Sequence, residues 1–389
     1  MHQGKYVFSQ LIEFLSPNEF IRCVNKYKGN YKVRTFSCWH QMLYMIFGQL
    51  SNRDSLSDLI VCLQSQKNKF YHLGLGCGTS KANLAKANEK RDYRIYESFA
   101  YDLVTQAQSL GVVEHDFDLL IDAPVYAIDA TVVDLCLNLF WWGKFRKHKA
   151  AVKLHTMLDV RTNIPTVIFV TSGAVHEVNM LDEFPIEEGS YYLMDKGYID
   201  FARLYDIHKS SAFFVMRARD NFRFIRIHSR PINKQSGIKC DQTVRLKNQL
   251  VSLKYPGELR RVKYYDCDNK IELVFITNNF EISSLDVARL YKYRWKVELF
   301  FRWIKQHLKV KSFWGHSLNA VKTQIYIAMI TYLLVAIIKQ RLKLKQTQYE
   351  ILQMLSVTLL CKTTLDELFF ETNQQYVKEL DTNQLNIFE

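Results

Sequence analysis

Glycine and proline are scarce, with 14 and 6 in 389 residues, which excludes collagen-like repeats, long linkers and a largely disordered chain. The eight cysteines stand singly and form no C-x-x-C pair, so neither a zinc ribbon nor a disulfide framework is expected. No basic, then apolar, then small-residue segment opens the chain, so secretion is not expected. The longest apolar run, Ile325 to Ile338, is interrupted by Thr331 and falls short of the roughly 18–20 residues of a bilayer span. It reads as a buried helix. These absences predict a reduced, soluble, cytoplasmic protein with no membrane partner.

Acidic charge is the other shortage. The chain carries 52 Lys and Arg against 39 Asp and Glu, a net charge of +13. The excess is uneven: residues 1–94 hold 14 basic against 6 acidic side chains, and residues 211–280 repeat that ratio. After Lys345 the balance turns acidic. Two separated basic blocks are what two phosphate-contacting surfaces require, though a generally basic surface gives the same counts. In the second block Arg217, Arg219 and Arg223 are candidates for such contacts.

Residues 1–112 read as helical, with a stop and restart at Ser16-Pro17-Asn18 and further helices over roughly 36–50, 54–66, 79–90 and 93–110. The helix after Thr79 mixes Lys81 and Lys86 with asparagines, residues suited to reading a DNA groove or to a plain solvated face. From residue 124 the period changes to short β-rich runs at Val125–Ile128, Leu154–Val160, Thr166–Val170, Tyr191–Met194 and Ala212–Met216. With a helix over 200–209, their order outlines an RNase H-like mixed sheet. Residues at about 218–280 read as an inserted antiparallel sheet, and Ser283 as the cap of a long helix running to about Lys309. Helices fill 318–341 and 346–357, and the last twenty residues read as frayed. The fold class is α/β (α+β), divided into a helical region 1–112, a catalytic core 113–312 and a helical region 313–389.

Two aspartates follow apolar strands, Asp129 after Tyr126-Ala127-Ile128 and Asp195 after Tyr191-Tyr192-Leu193-Met194. A carboxylate there is costly to bury without a partner, and a hard divalent cation is one such partner. A strand-end turn residue is the plainer reading of each alone. The long helix adds Tyr291, Arg294, Glu298 and Lys305, a Y-x₂-R-x₃-E-x₆-K pattern. On one continuous helix these four fall within an arc of roughly 60°. That face carries a carboxylate flanked by groups that grip phosphate. Asp122, Asp134, Asp159 and Glu177 are rivals for the first carboxylate; Asp134, five residues on, would face away from Asp129 in a continuous strand. His155 and His176 read as ordinary sheet histidines.

The Asp129, Asp195 and Glu298 set, with Asp195-Lys196-Gly197-Tyr198 and the Tyr291/Arg294/Glu298/Lys305 helix, resembles the DDE transposases of bacterial insertion sequences. The likeness is to their YREK group, insertion-sequence family four, to which the Tn-five transposase is related. The resemblance implies a DNA transposase with an RNase H-like core, in which those three carboxylates hold two Mg²⁺, with Mn²⁺ able to substitute. It implies cleavage at element ends and strand transfer into target DNA, cut-and-paste and with hairpin ends as an option. It implies double-stranded DNA as partner, at terminal inverted repeats and at the target, a homodimer in the synaptic complex, and a cytoplasmic protein associated with the bacterial nucleoid when bound. Residues 1–112 would bind element ends, the C-terminal helices would serve dimerisation, and Tyr291, Arg294 and Lys305 would grip the terminal phosphates. Two other readings share parts of this pattern: a non-catalytic DNA-binding repressor, and a nuclease that cuts without joining.

One departure stands out. Relatives of the Tn-five type hold a displaced base on a tryptophan of the β-insertion, and here no Trp falls within 211–280. Phe222, Phe224, Tyr255, Tyr264 or Tyr265 would have to serve instead. Trp142 and Arg146, in an aromatic and basic run after the Asp129 strand, are further DNA-contact candidates.

Overall fold

The computed structural model describes residues 4–111, 117–136, 140–146, 149–309 and 313–369. The frayed reading of the last twenty residues lies outside them. The chain forms two compact units, one combining residues 1–112 with 303–389 and one continuous over 113–302.

The first unit begins with α1 (Val7–Ile12), α2 (Pro17–Lys26), α3 (Cys38–Leu50), α4 (Leu56–Gln64), α5 (Lys81–Lys90) and α6 (Arg94–Ser109). Their starts follow from local chemistry. Ser16 caps α2 with Pro17 at its first position, and the Ser80 hydroxyl accepts from the Asn83 amide to start α5. The same unit is completed near the C-terminus by α11 (Leu318–Arg341) and α12 (Gln348–Thr358), numbered in chain order. α11 is apolar all round, so one covered face would not suffice; it packs against α3, α5, α6 and α12. Among the described residues it is the one helix long and apolar enough to cross a membrane, and it is almost wholly buried within the protein.

The second unit is built on ten strands: β1 (Val125–Leu135), β2 (Lys144–Arg146), β3 (Lys149–Asp159), β4 (Ile164–Ser172), β5 (Tyr191–Met194), β6 (Phe213–Arg217), β7 (Phe224–Ser229), β8 (Ile238–Leu246), β9 (Leu259–Asp266) and β10 (Ile271–Thr277). β4, β3 and β1 form an antiparallel meander, and β1, β5 and β6 then run parallel. That 4-3-1-5-6 order is the RNase H-like arrangement. α7 (Phe201–Lys209) makes the β5–β6 crossover, and the short α8 (Gln249–Ser252) lies between β8 and β9. The insertion is not a separate sheet. β10 pairs antiparallel with β6, so β7 to β10 continue the core sheet edge to edge.

Two expectations are corrected here. β1 does not end before Asp129: its ladder with β3 runs from Tyr126 opposite Asp159 to Leu135 opposite Ala150, so Asp129 sits mid-strand opposite Thr156. The β-branched run Thr131-Val132-Val133 carries the strand through the carboxylate. The long helix is also two helices, α9 (Ser284–Lys292) and α10 (Trp295–His307). Between them the amides of Tyr293, Arg294 and Lys296 bond three residues back, to Leu290, Tyr291 and Tyr293. This tighter turn breaks the helical phase without proline or glycine. The 60° arc drawn on a continuous helix therefore does not hold for Tyr291.

Candidate active site

Asp195 directly follows β5. Its carboxylate accepts from the Gly197 amide at 2.8 Å and caps the short turn Lys196–Tyr198. A Cβ on Gly197 would lie 2.9 Å from that carboxylate oxygen, so a larger residue there would push the carboxylate aside. Tyr198 is buried beneath it. Arg219, just beyond β6, donates to the Lys196 and Ile199 carbonyls at 3.3 and 3.2 Å and clamps the turn from outside. Those bonds use two of the guanidinium's donors, and the residue itself stays exposed.

Asp129 on the neighbouring strand accepts from the Ala130 amide at 2.8 Å and from Arg294 at 3.3 Å. Arg294 sits in the turn between α9 and α10, and its other terminal nitrogen donates to Glu298 at 2.6 Å. One guanidinium thus bridges two acids that lie 169 residues apart in sequence, while its Nε has no partner. Burial pushes the Asp129 carboxyl up to about 6; the Ala130 amide and Arg294 oppose the shift, and the charges of Asp195 and Glu298 add to it. The three sequence-predicted carboxylates therefore act on one another electrostatically.

Tyr291 packs behind this cluster. Its ring lies 4.8 Å from that of Phe275 on β10, and Arg294 stacks over it at 5.6 Å. Lys305 follows on α10 among the residues of the other unit. Among the rivals, Asp134 is exposed on the opposite face of β1, Glu177 pairs with Lys153 at 3.3 Å, and Asp159 accepts from the Arg161 amide. His155 is buried, hydrogen-bonds Thr171 at 2.9 Å and is pushed down to about 4 by burial, as a core histidine would be. Lys81 and Lys86 are exposed on α5. Trp142 packs edge-on against Phe140, and Arg146 closes β2 with its side chain outside the described residues.

A cavity of about 720 Å³ opens beside Arg294, between the β9–β10 hairpin and α9. Tyr264, Tyr265, Phe275, Tyr291 and Trp295 give it aromatic walls. Trp295 was not singled out by the sequence. Its signal was its place beside Arg294 at the start of a helix, where half of its surface stays exposed. Tyr255, by contrast, is buried and bonded to His208, and Phe222 is stacked on Phe224 and Phe201.

The donor set is wholly of carboxylate oxygens, and the guanidinium of Arg294 is the positive charge that two of them share. A hard divalent cation suits those donors. Among the described residues no three acidic, histidine or cysteine side chains already converge on one point, so holding an ion requires the side chains to close.

The Transposase DDE domain family matches residues 121–334, and a domain family of unknown function, DUF4372, matches residues 3–76. A protein of Sinorhizobium fredii designated a transposase is 32% identical over 262 residues, covering 65% of this chain and 70% of its own. A Geobacillus stearothermophilus protein, designated the transposase of insertion sequence element IS5377, is 29% identical over 58% of this chain and 59% of its own. One from Synechocystis, designated the transposase of element IS4SA, is 24% identical over 70% of this chain and 76% of its own. Among solved structures, the piggyBac transposase in a synaptic complex with hairpin DNA superposes with a TM-score of 0.47 and 11% identity, over 98% of this chain and 86% of that one.

Proposed function

The chain belongs to the DDE transposase family, and on that footing we propose which of its residues carry the reaction. It is a DNA transposase, an enzyme of DNA cleavage and strand transfer, and its family uses divalent metal ions. We assign Asp129, Asp195 and Glu298 as the residues that hold the metal, two Mg²⁺ with Mn²⁺ as substitute. The observation that carries this is the Arg294 bridge, which gathers a mid-sheet aspartate and a helix glutamate within the field of Asp195. A divalent ion held by these residues would supply polarisation of a phosphate oxygen and a lowered pKa for an attacking hydroxyl.

The chain's own groups position and neutralise. Asp195, fixed over its turn by Gly197 and Arg219, holds one side of the site rigid. Arg294 can exchange its carboxylate partners for a phosphate oxygen, and a guanidinium does so with two donors where lysine offers a point charge. Lys305, further along α10, is assigned to the terminal phosphates in its own right. The aromatic cavity beside Arg294 suits a base displaced from the end of the element, with Trp295 and Tyr264 taking the place of the absent insertion tryptophan. Cut-and-paste movement through hairpin ends is the scheme this serves. Residues 1–112, through Lys81 and Lys86, and the segment of Trp142 and Arg146 bind DNA. A homodimer holds two inverted repeats together, working on nucleoid DNA in the cytoplasm.

The test uses DNA bearing the sequences that flank the coding region, incubated with purified protein and Mg²⁺ and resolved on a denaturing gel. Asp129→Asn, Asp195→Asn and Glu298→Gln should each cut at least about 10³-fold more slowly, the loss of several kcal/mol of charge stabilisation, while still binding the ends. Normal cutting by any of the three removes that residue from the site.

A further inference from the structure

Between Glu19 and Asp54 the chain holds no acidic residue at all. Six cations fall in that stretch. Two are spoken for: Arg22 pairs with Asp102 at 2.9 Å and Arg53 with Asp58 at 3.4 Å. The other four are Lys26, the last residue of α2, and Lys28, Lys32 and Arg34 in the turn that joins α2 to α3; all are exposed, and none has a carboxylate partner among the described residues. Tyr31 stands among them with 73% of its surface exposed and Lys32 over its ring at 5.3 Å. Charges of one sign at this density repel one another unless something of opposite sign lies across them.

The turn is built, not loose. The Gly29 amide bonds back to the Val24 carbonyl at 2.9 Å, and Asn30 accepts from the Cys38 amide at 2.8 Å to join the turn to the start of α3. A Cβ on Gly29 would lie 2.4 Å from Ile95 of α6, so the backbone is pressed directly onto that helix. Tyr27 reaches the Ser98 hydroxyl at 3.1 Å. Lys28 and Lys32 hold positive φ angles of 53° and 56°. That left-handed conformation disfavours any side chain with a Cβ, and glycine or asparagine would adopt it more easily. Lysines are thus kept at two positions where the backbone alone argues against them, on a rigid platform facing solvent.

We propose that the Lys26–Arg34 turn is a double-stranded DNA contact of the region matched by the domain family of unknown function, gripping backbone phosphates with its four cations and a sugar edge with Tyr31. The proposal rests on the reading of residues 1–112 as DNA-binding, and it names the element that does the holding. Lys and Arg that meet phosphates fix position and carry no sequence information, so the contact is independent of sequence. Each phosphate neutralised adds close to one unit to the slope of log affinity against log salt.

The experiment measures binding of the full chain to a fluorescein-labelled duplex of the flanking sequence, and to an unrelated duplex of equal length, across a salt series. Thermal melting of each variant establishes that it is folded. Lys28→Ala/Lys32→Ala/Arg34→Ala should lower the salt slope by about two to three on both duplexes and weaken binding by the same factor on each. Tyr31→Ala should weaken binding several-fold and leave the slope alone. Should the triple variant keep the wild-type slope while Lys81→Ala/Lys86→Ala reduces it, the turn is not the contact, though residues 1–112 still bind DNA. An unchanged slope in both variants overturns the turn and the N-terminal reading together.

Discussion

Two arginines in the second unit, Arg260 buried and Arg294 half-buried, make opposite use of the same chemistry. Arg260 on β9 meets Asp241 on β8 with two parallel bonds of 2.9 and 2.7 Å, donates a third to the Ile282 carbonyl at 2.6 Å, and leaves only 3% and 5% of the two side chains exposed. Arg294 divides itself between two acids with one bond each, its Nε is unpaired, and its partners keep 17% and 32% of their surface in contact with solvent. The first pair is saturated and pins the insertion to the start of α9. The second is held by no better than half of what a guanidinium can offer, so its acids remain open to another cation and its arginine to another anion.

The comparison breaks most easily at Arg260. Arg260→Ala strands a buried carboxylate and should cost about 3–5 kcal/mol in urea unfolding, with no recovery on adding Mn²⁺. Arg294→Gln should cost less, about 1 kcal/mol, and Mn²⁺ should restore that loss, because the ion replaces the missing charge. Calorimetric titration should also find Mn²⁺ bound about tenfold more tightly by Arg294→Gln than by wild type, the equivalent of about 1.4 kcal/mol. Equal Mn²⁺ affinity in the two proteins would mean that arginine and ion do not compete.

The smallest effect is in pH. Asp129 in the folded chain titrates near 6, above the roughly 3.9 of an unfolded aspartate. Between those values the folded state holds the extra proton, so metal-free stability falls as pH rises from about 4 to 6. Asp129→Asn should flatten that limb, matching wild type near pH 4 and exceeding it above pH 6 in melting temperature. Mn²⁺ affinity of the wild type should rise across the same interval, since only the ionised carboxylate binds. A melting difference independent of pH would assign the effect to packing and not to the proton.

Much of this is legible in the sequence. Caps such as Ser283, whose hydroxyl accepts from the Asp286 amide at 3.0 Å, are local chemistry and are readable as such. So were Asp195 at a strand end and the Arg294–Glu298 spacing, which is a neighbour relation on one helix turn. What was hidden depends on distant residues. The extension of β1 through Asp129 is set by its ladder with β3, and no short-range signal marks it. The break after Lys292 has no glycine or proline to announce it; it places Arg294 where Asp129 can be reached, across 165 residues. The tryptophan of the aromatic cavity comes from α10 and not from the insertion, so the composition of 211–280 does not reveal it.

The edge-to-edge joining of β10 to β6 has a mechanical side. Met194, the residue before Asp195, is paired with Met216, and Met216 in turn with Ile276, so one row of hydrogen-bonded peptide groups crosses three strands and ends beside the carboxylate. A load placed on the insertion is met by shear across those ladders, which is stiff, and not by bending at a linker, which is soft. Force applied to the insertion thus reaches the strand that carries Asp195 with little loss, making the sheet a lever arm whose short end is that carboxylate.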